Sequence, residues 1–359
     1  MIRLFKVGMS PHAKEVVGEV LGSGYIGQGP VVEEFEEELQ RALELPRRPI
    51  TVNSGTSALD LALHLAGVQA GDEVITVPLT CTATNIHIIH RGASPVWADV
   101  DSSTGLAEPS AIRASVTERT RAVMVVDWGG APVDLSAIRA VLPSHIPIIL
   151  DAAHTLSWRP GADYVCWSFQ AIKFLTTGDG GMILCPDDET TERARLLRWF
   201  GLDRRSSESF RCSQRVEELG FKYHMNDISA AIGMSNLSMA QWHRDDHRIN
   251  GTRITESLQK PLRGSPGGDY WVCFIQTPAR AEFQSYMAAK GIETSLVHMR
   301  NDVHPGFQSG RWLSPPLGLG LYDPAYVAVP CGWWLTQSDL RAIMGALEKW
   351  ASSLRIAVS

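Results

Sequence analysis

IPIILDAAHTLSWRPGADYVCWSFQAIKFLTTGDGGMILC, residues 146–185, holds three apolar runs of strand length. IPIILD (146–151), ADYVCWSF (162–169) and GGMILC (180–185) show the near-continuous apolar character of strands buried on both faces. The first run ends on Asp151, with Ala-Ala-His154 after it. The second ends at Ser168-Phe169 and leads through a loop to Lys173. The turn Gly178-Asp179-Gly180-Gly181 then enters the third run and leaves little side-chain bulk near that lysine.

Working toward the N-terminus, the same texture repeats with helices between the strands. RAVMVVD (121–127), PVWADV (95–100), EVITV (73–77) and ITVNSG (50–55) read as strands. TATNIHIIHRG (82–92) and TSALDLALHLAG (56–67) read as helices, the latter stopping at Gly67. Pro30 opens a further helix with Val31, Phe35, Leu39 and Ala42 on one face. Strands alternating with helices predict a mostly parallel sheet covered on both faces.

Toward the C-terminus the texture changes near residue 237. A polar helix (238–258), a strand (270–276), a helix (279–290) and strands at 292–296 and 326–330 follow. Thr336-x-x-Asp339 reads as a capping box opening a last helix, with Leu340, Ile343, Met344, Leu347 and Trp350 on one face. The expectation is an α/β domain over 1–237 and a smaller α+β domain over 238–359.

The 359 residues are 44% apolar and 20% charged, which excludes disorder and coiled coil. A net charge of -6, from 33 basic and 39 acidic residues, offers no field for nucleic acid or an acidic membrane surface. No segment approaches 18 consecutive apolar residues, so no membrane span is expected. Cysteines 81, 166, 185, 212, 273 and 331 lack Cys-x-x-Cys spacing, and the N-terminal stretch lacks the apolar run of a signal peptide. A cytoplasmic protein with reduced thiols is expected.

Three motifs are read as structural. Gly22-Ser-Gly24-Tyr-Ile-Gly27 matches G-x-G-x-x-G but follows a helical stretch rather than a strand. His87 and His90, near Cys81, fall short of the convergent ligands a zinc site needs, and no metal is expected. Asp245, Asp246 and His247 lie on a polar helix.

Four segments at strand ends carry chemistry, because an open α/β sheet binds ligands outside the carboxyl ends of its strands. Asn53-Ser54-Gly55-Thr56 offers backbone N–H groups at a helix N-terminus to a phosphate. Asp151 can hold a protonated ring nitrogen, and Lys173 can form a Schiff base and move a proton. Phosphate cradle, strand-end carboxylate and loop lysine together are what pyridoxal 5′-phosphate requires.

Longer stretches bear this out: GYIGQGPVVEEFEEEL, NSGTSALDLAL, GDEVITVPLTCTATN, GASPVWADVD, DAAH, SFQAIKFLTTGDGGM and GFKYHMNDISAAIG. Through them the chain resembles the DegT/DnrJ/EryC1/StrS family of pyridoxal-phosphate-dependent sugar aminotransferases, from about Gly24 to about Leu347. The resemblance implies the type I transferase fold. It implies that Gly55 and Thr56, with Ser168, bind the cofactor phosphate. Lys173 is then the Schiff-base lysine and Asp151 the partner of the pyridine nitrogen. His154 approaches the ring, and Cys81 stands where the family commonly stacks an aromatic side chain. Lys222-Tyr223-His224 replaces a loop that often reads Asn-Tyr-Arg, and Lys222 or His224 would complete the phosphate site of a second subunit in a homodimer. Asp127 stands where the family has a His before its Gly-rich turn. Tyr25, Arg300, Asn301 and His304 are candidates for the acceptor pocket.

The implied reaction is transamination from an amino acid, most often L-glutamate, to a keto group of a nucleotide-linked deoxysugar. Two other readings stand beside it. One is an L-glutamine-dependent transaminase of cyclitol or antibiotic synthesis. The other is a pyridoxal-phosphate-binding regulatory protein without turnover.

Overall fold

The computed structural model describes residues 1–205 and 213–356; Cys212 lies outside the described residues. Among the described residues eleven strands are formed: β1 (Ile50–Val52), β2 (Glu73–Thr76), β3 (Ser94–Trp97), β4 (Thr120–Val126), β5 (Ile148–Asp151), β6 (Tyr164–Ser168), β7 (Gly181–Leu184), β8 (Arg263–Gly264), β9 (Cys273–Gln276), β10 (Arg311–Trp312) and β11 (Tyr326–Val329). Eight build the central sheet, in the order β1-β7-β6-β5-β4-β2-β3-β10. β7 runs antiparallel to both neighbours and every other pair is parallel. The carboxyl ends of β1, β2, β4, β5 and β6 and the entry to β7 therefore share one edge. β2, β5 and β7 are buried throughout, as strands covered on both faces must be; Glu73 and Asp151 are buried with them.

The helix opened by Pro30 runs to Ala42 and buries Val32, Phe35 and Leu39. Its free N-terminal N–H groups are met from far along the chain. Asp227 Oδ1 accepts from Gly29 at 2.7 Å and Val32 at 3.2 Å, and Oδ2 from Val31 at 3.4 Å. Glu36 on this helix is buried and paired with Arg198, while Thr51 donates to it at 2.8 Å.

β11, β9 and β8 form a second, antiparallel sheet. The last helix, Gln337–Ile356, packs Leu340, Ile343 and Leu347 into the same core as β9 and β11. Its capping box is reciprocal: Thr336 N–H donates to Asp339 Oδ2 at 2.9 Å and Asp339 N–H to Thr336 Oγ1 at 3.2 Å.

Two expectations are corrected. The polar helix placed at 238–258 begins at Asp227 and ends at Glu256, so it passes through residue 237 without a break. Its first turns are rich in small residues because they lie against other helices. A Cβ on Gly233 would come within 2.4 Å of the Phe35 ring. Residues 292–296 do not form a strand. Only two isolated bridges are made there, Ile2 to Ile292 and Ser295 to Ala328, because the segment turns sharply at Val297, whose φ is 68°.

The N-terminal segment is a strap across the C-terminal part of the chain. Leu4 N–H donates to Glu293 Oε2 at 3.0 Å, and Trp334 Nε1–H donates to Arg3 O at 3.0 Å. Phe5 leans on Trp271 with ring centroids 4.9 Å apart.

Candidate active site

Every chemically loaded segment meets at the shared strand edge. After β1, Ser54 caps the helix Gly55–Leu65, its Oγ accepting from Ser57 N–H at 3.0 Å. The N–H groups of Gly55 and Thr56 have no partner within the helix and point out of its positive end. A Cβ on Gly55 would lie 2.7 Å from the Cβ of Ser168, so only glycine lets this helix end approach β6.

Asp151 closes β5 and is 4% exposed. Thr84, on the helix Thr82–His90, donates to its Oδ2 at 2.7 Å, and Ala153 N–H donates to Oδ1 at 3.0 Å. Burial pushes its carboxyl upward, opposed by these two donors and by the positive charge of Lys173. Burial in turn pulls the Lys173 ammonium down to about 8, opposed by Asp151 and Cys81. A lysine so poised can exchange a proton near neutral pH.

His154 is buried and stacks on Trp271 with centroids 3.9 Å apart and planes 13° from parallel. Gly129 N–H donates to its Nδ1 at 3.3 Å. Burial, then the charges of Lys173 and His298, hold it well below the ordinary imidazole range, so the ring is neutral. Trp271 also faces Lys173, whose Nζ is 3.8 Å from its ring centroid.

Gly55, Thr56, Cys81, Asp151, His154, Ser168 and Lys173 all line one cavity of about 330 Å³, with Trp271 and His298. The other sequence candidates lie elsewhere. Tyr25 is exposed and borders a separate cleft with Arg204 and Asp227. Arg300 is engaged by Asp302 at 2.6 Å. Asn301 is fully buried. Its Oδ1 accepts from Asn85 at 2.9 Å and its Nδ2 donates to Thr80 O at 2.8 Å. His304 is half-buried and outside the cavity lining. Asp127 is locked in a two-pronged pair with Arg159, at 2.5 and 2.6 Å, behind the cavity.

Lys222 is exposed on a loop held beside β1, where Asn53 N–H donates to Tyr223 O at 2.7 Å. His224 packs edge-on against Trp199 at 3.8 Å. Burial, then Arg204, Lys222 and Arg198, pull it down to about 4, which leaves it neutral. His87 pairs with Asp60 at 3.4 Å and meets His90 edge-on.

The family model for the DegT/DnrJ/EryC1/StrS aminotransferase family matches residues 9–311. The chain belongs to this family. The aminotransferase is 37% identical to AtS13 from Actinomadura melliaura, with a TM-score of 0.91 over 97% of this chain and 98% of that one. It is 34% identical to the sugar aminotransferase CalS13 from Micromonospora echinospora, with a TM-score of 0.90 over 97% of this chain and all of the other. It is also 38% identical over 263 residues to the spore coat polysaccharide biosynthesis protein SpsC of Bacillus subtilis. That match spans 70% of this chain and 66% of SpsC.

The cofactor of the aminotransferase is pyridoxal 5′-phosphate. The residues present fit it. Because Gly55 has no Cβ to collide with Ser168, the helix N–H groups and the Ser168 hydroxyl lie close together, where a phosphate can be held. Asp151 and Lys173 supply the carboxylate and the amine across the same cavity.

Two lining residues escaped the sequence reading. Trp271 was absorbed in the strand read at 270–276, and His298 fell after the strand read at 292–296 with no role assigned. His298 is held out by the turn at Val297, where His298 N–H donates to Leu296 O at 2.9 Å. Its Nε2 is buried without a hydrogen-bond partner, and burial followed by the charge of Lys173 brings it to about 4. A histidine following a valine gave no local sign of either property.

Proposed function

We propose that this aminotransferase moves the amino group of L-glutamate to a keto group of a nucleotide-linked deoxysugar. The observation that carries the reading is the convergence of Lys173 and Asp151 on one cavity beside the Gly55 cradle. Pyridoxal phosphate supplies an electron sink and carries the amino group between the two half-reactions. The N–H groups of Gly55 and Thr56 and the hydroxyl of Ser168 would hold its phosphate. The Asp151 carboxylate, steadied by Thr84, would hold a protonated ring nitrogen. Cys81 and the neutral His154 would exclude water from its ring. Lys173 Nζ would attach it and would take and return a proton in each half-reaction.

The active assembly is read as a homodimer of the cytoplasm. Lys222, exposed and charged beside the Asn53 turn, reaches the phosphate in the partner's site. His224 is the weaker candidate because it is neutral in its packed position.

Borohydride reduction of the pyridoxal-phosphate protein, followed by peptide mapping, tests the lysine. The adduct is expected on Lys173, and an adduct on any other lysine overturns the assignment. Lys173→Ala should still bind cofactor and lose turnover by several orders of magnitude. A panel of keto-sugar nucleotides offered to the pyridoxamine form tests the acceptor. Amination of none of them, with L-glutamate still converted, overturns the sugar reading.

A further inference from the structure

Lys173 is gripped at two points by a residue more than ninety positions away in the chain. Trp271 Nε1–H donates to the carbonyl of Ile172 at 3.0 Å, fixing the peptide that enters Lys173. The same indole presents its ring 3.8 Å from Lys173 Nζ. The ring is itself held, by His154 stacked at 3.9 Å and Phe5 at 4.9 Å. An ammonium over an indole face is attracted by the ring quadrupole, most strongly where water is excluded.

We propose that Trp271 is a positioning residue for Lys173, its ring holding the free ε-ammonium and its N–H fixing the backbone from which that side chain hangs. The proposal rests on the reading of Lys173 as the lysine that handles the amine. While that lysine is bonded to the cofactor it needs no such support. When the amino group has passed to the cofactor, Lys173 is released as an amine inside an apolar cavity. It must then take the proton as a neutral amine, hold it as an ammonium until it is returned, and stay close to the reacting carbon. Trp271 meets the last two needs, because it offers a cation seat without a hydrogen-bond acceptor that would trap the proton.

The other groups facing Lys173 are Asp151 from β5, Cys81 at the cap of the helix 82–90, His154 after β5, and His298; Asp179 also lines the cavity. Asp151 and Cys81 favour the charged lysine, and the two neutral histidines add no competing cation. Burial opposes all of this and sets the lysine near 8. Weakening the negative face of the indole while keeping its shape should therefore lower the lysine further.

The test uses the full chain loaded with pyridoxamine 5′-phosphate, the form in which Lys173 is free. Residue 271 is replaced by tryptophans carrying one to four ring fluorines, which keep the N–H and the packing. Two readouts are taken across pH 6–10. One is the acetylation rate of Lys173 by isotope-coded acetic anhydride, followed on its peptide by mass spectrometry. The other is kcat/KM for 2-oxoglutarate, whose pH profile reports groups of the free enzyme. The lysine midpoint should fall stepwise with fluorine count, by about one pH unit for the fully substituted ring. Trp271→Phe, which has a smaller and weaker ring face and loses the N–H, should lower the midpoint by less than the fully fluorinated ring does and lose about tenfold in kcat. A midpoint indifferent to fluorination overturns the proposal. If borohydride places the cofactor on another lysine, the reading of Lys173 fails first and the proposal falls with it.

Discussion

At Asp151, burial pushes the carboxyl upward, and three neighbours oppose it: Thr84, the Ala153 N–H and Lys173. Asp151→Asn keeps the shape and removes the charge. A charge-assisted contact of this kind is worth about 1.5–3 kcal/mol, so kcat/KM should fall at least about tenfold with cofactor still bound. Activity within about twofold of the parent would make Asp151 a structural residue. Because Asp151 supports the Lys173 ammonium, the same variant should titrate that lysine below about 8. Asp151 was legible because it ends an apolar run, where the sheet fixes its direction, and Lys173 because a short loop joins it to the end of the next run. Trp271 and His298 were not, because tertiary packing alone brings them to the cavity. Asn301 looked like a binding-loop amide, yet with no exposed surface its hydrogen bonds go to Asn85 and Thr80 instead.

Helix ends organise much of the molecule, and their requirements can be tested one by one. Gly55→Ala would drive a methyl to 2.7 Å from Ser168 Cβ at the start of the helix Gly55–Leu65. Its dissociation constant for pyridoxal phosphate, measured by absorbance titration, should rise at least about tenfold while the far-ultraviolet circular dichroism is unchanged. Asp227→Ala strips the cap from the helix Pro30–Ala42 and leaves three N–H groups without their carboxylate. A loss of about 2 kcal/mol in denaturant unfolding is expected, with Asp227→Asn losing less because an amide oxygen still accepts. Local signals found the Thr336 capping box and the Pro30 start, since both ends are written in adjacent residues. The true start of the helix at Asp227 was hidden, because its small residues serve contact with Phe35 rather than an apolar stripe.

For the whole molecule, buried histidines set the response to acid. His154, His247 and His298 all sit below the ordinary imidazole value, chiefly through burial, the last two at about 4. The unfolded chain binds protons at these groups from about pH 6.5 downward, and the folded chain does not. Their stabilising preference for the neutral ring is therefore complete above about 6.5 and is lost as pH falls toward 4. Calorimetry should show Tm nearly flat above pH 7 and declining through that window. A Tm unchanged between pH 7 and 5 would mean these rings take up protons in the fold as readily as in the unfolded chain. Subunit mixing examines the assembly: Lys173→Ala protein combined with Lys222→Ala protein should regain activity, because one site of the heterodimer is intact. Subunit exchange confirmed by mass with no activity regained would confine each site to one chain. The strap at the N-terminus bears on how the chain is made. Leu4 finds Glu293, 289 residues later. At about 5–20 residues per second, a ribosome needs on the order of 15–60 s to deliver that partner. The parallel sheet can form early, but Phe5 has no Trp271 to cover until most of the chain has emerged. The wall behind Lys173 is thus among the last parts of the nascent protein to close, and a paused ribosome would hold out a lysine pocket open at its back.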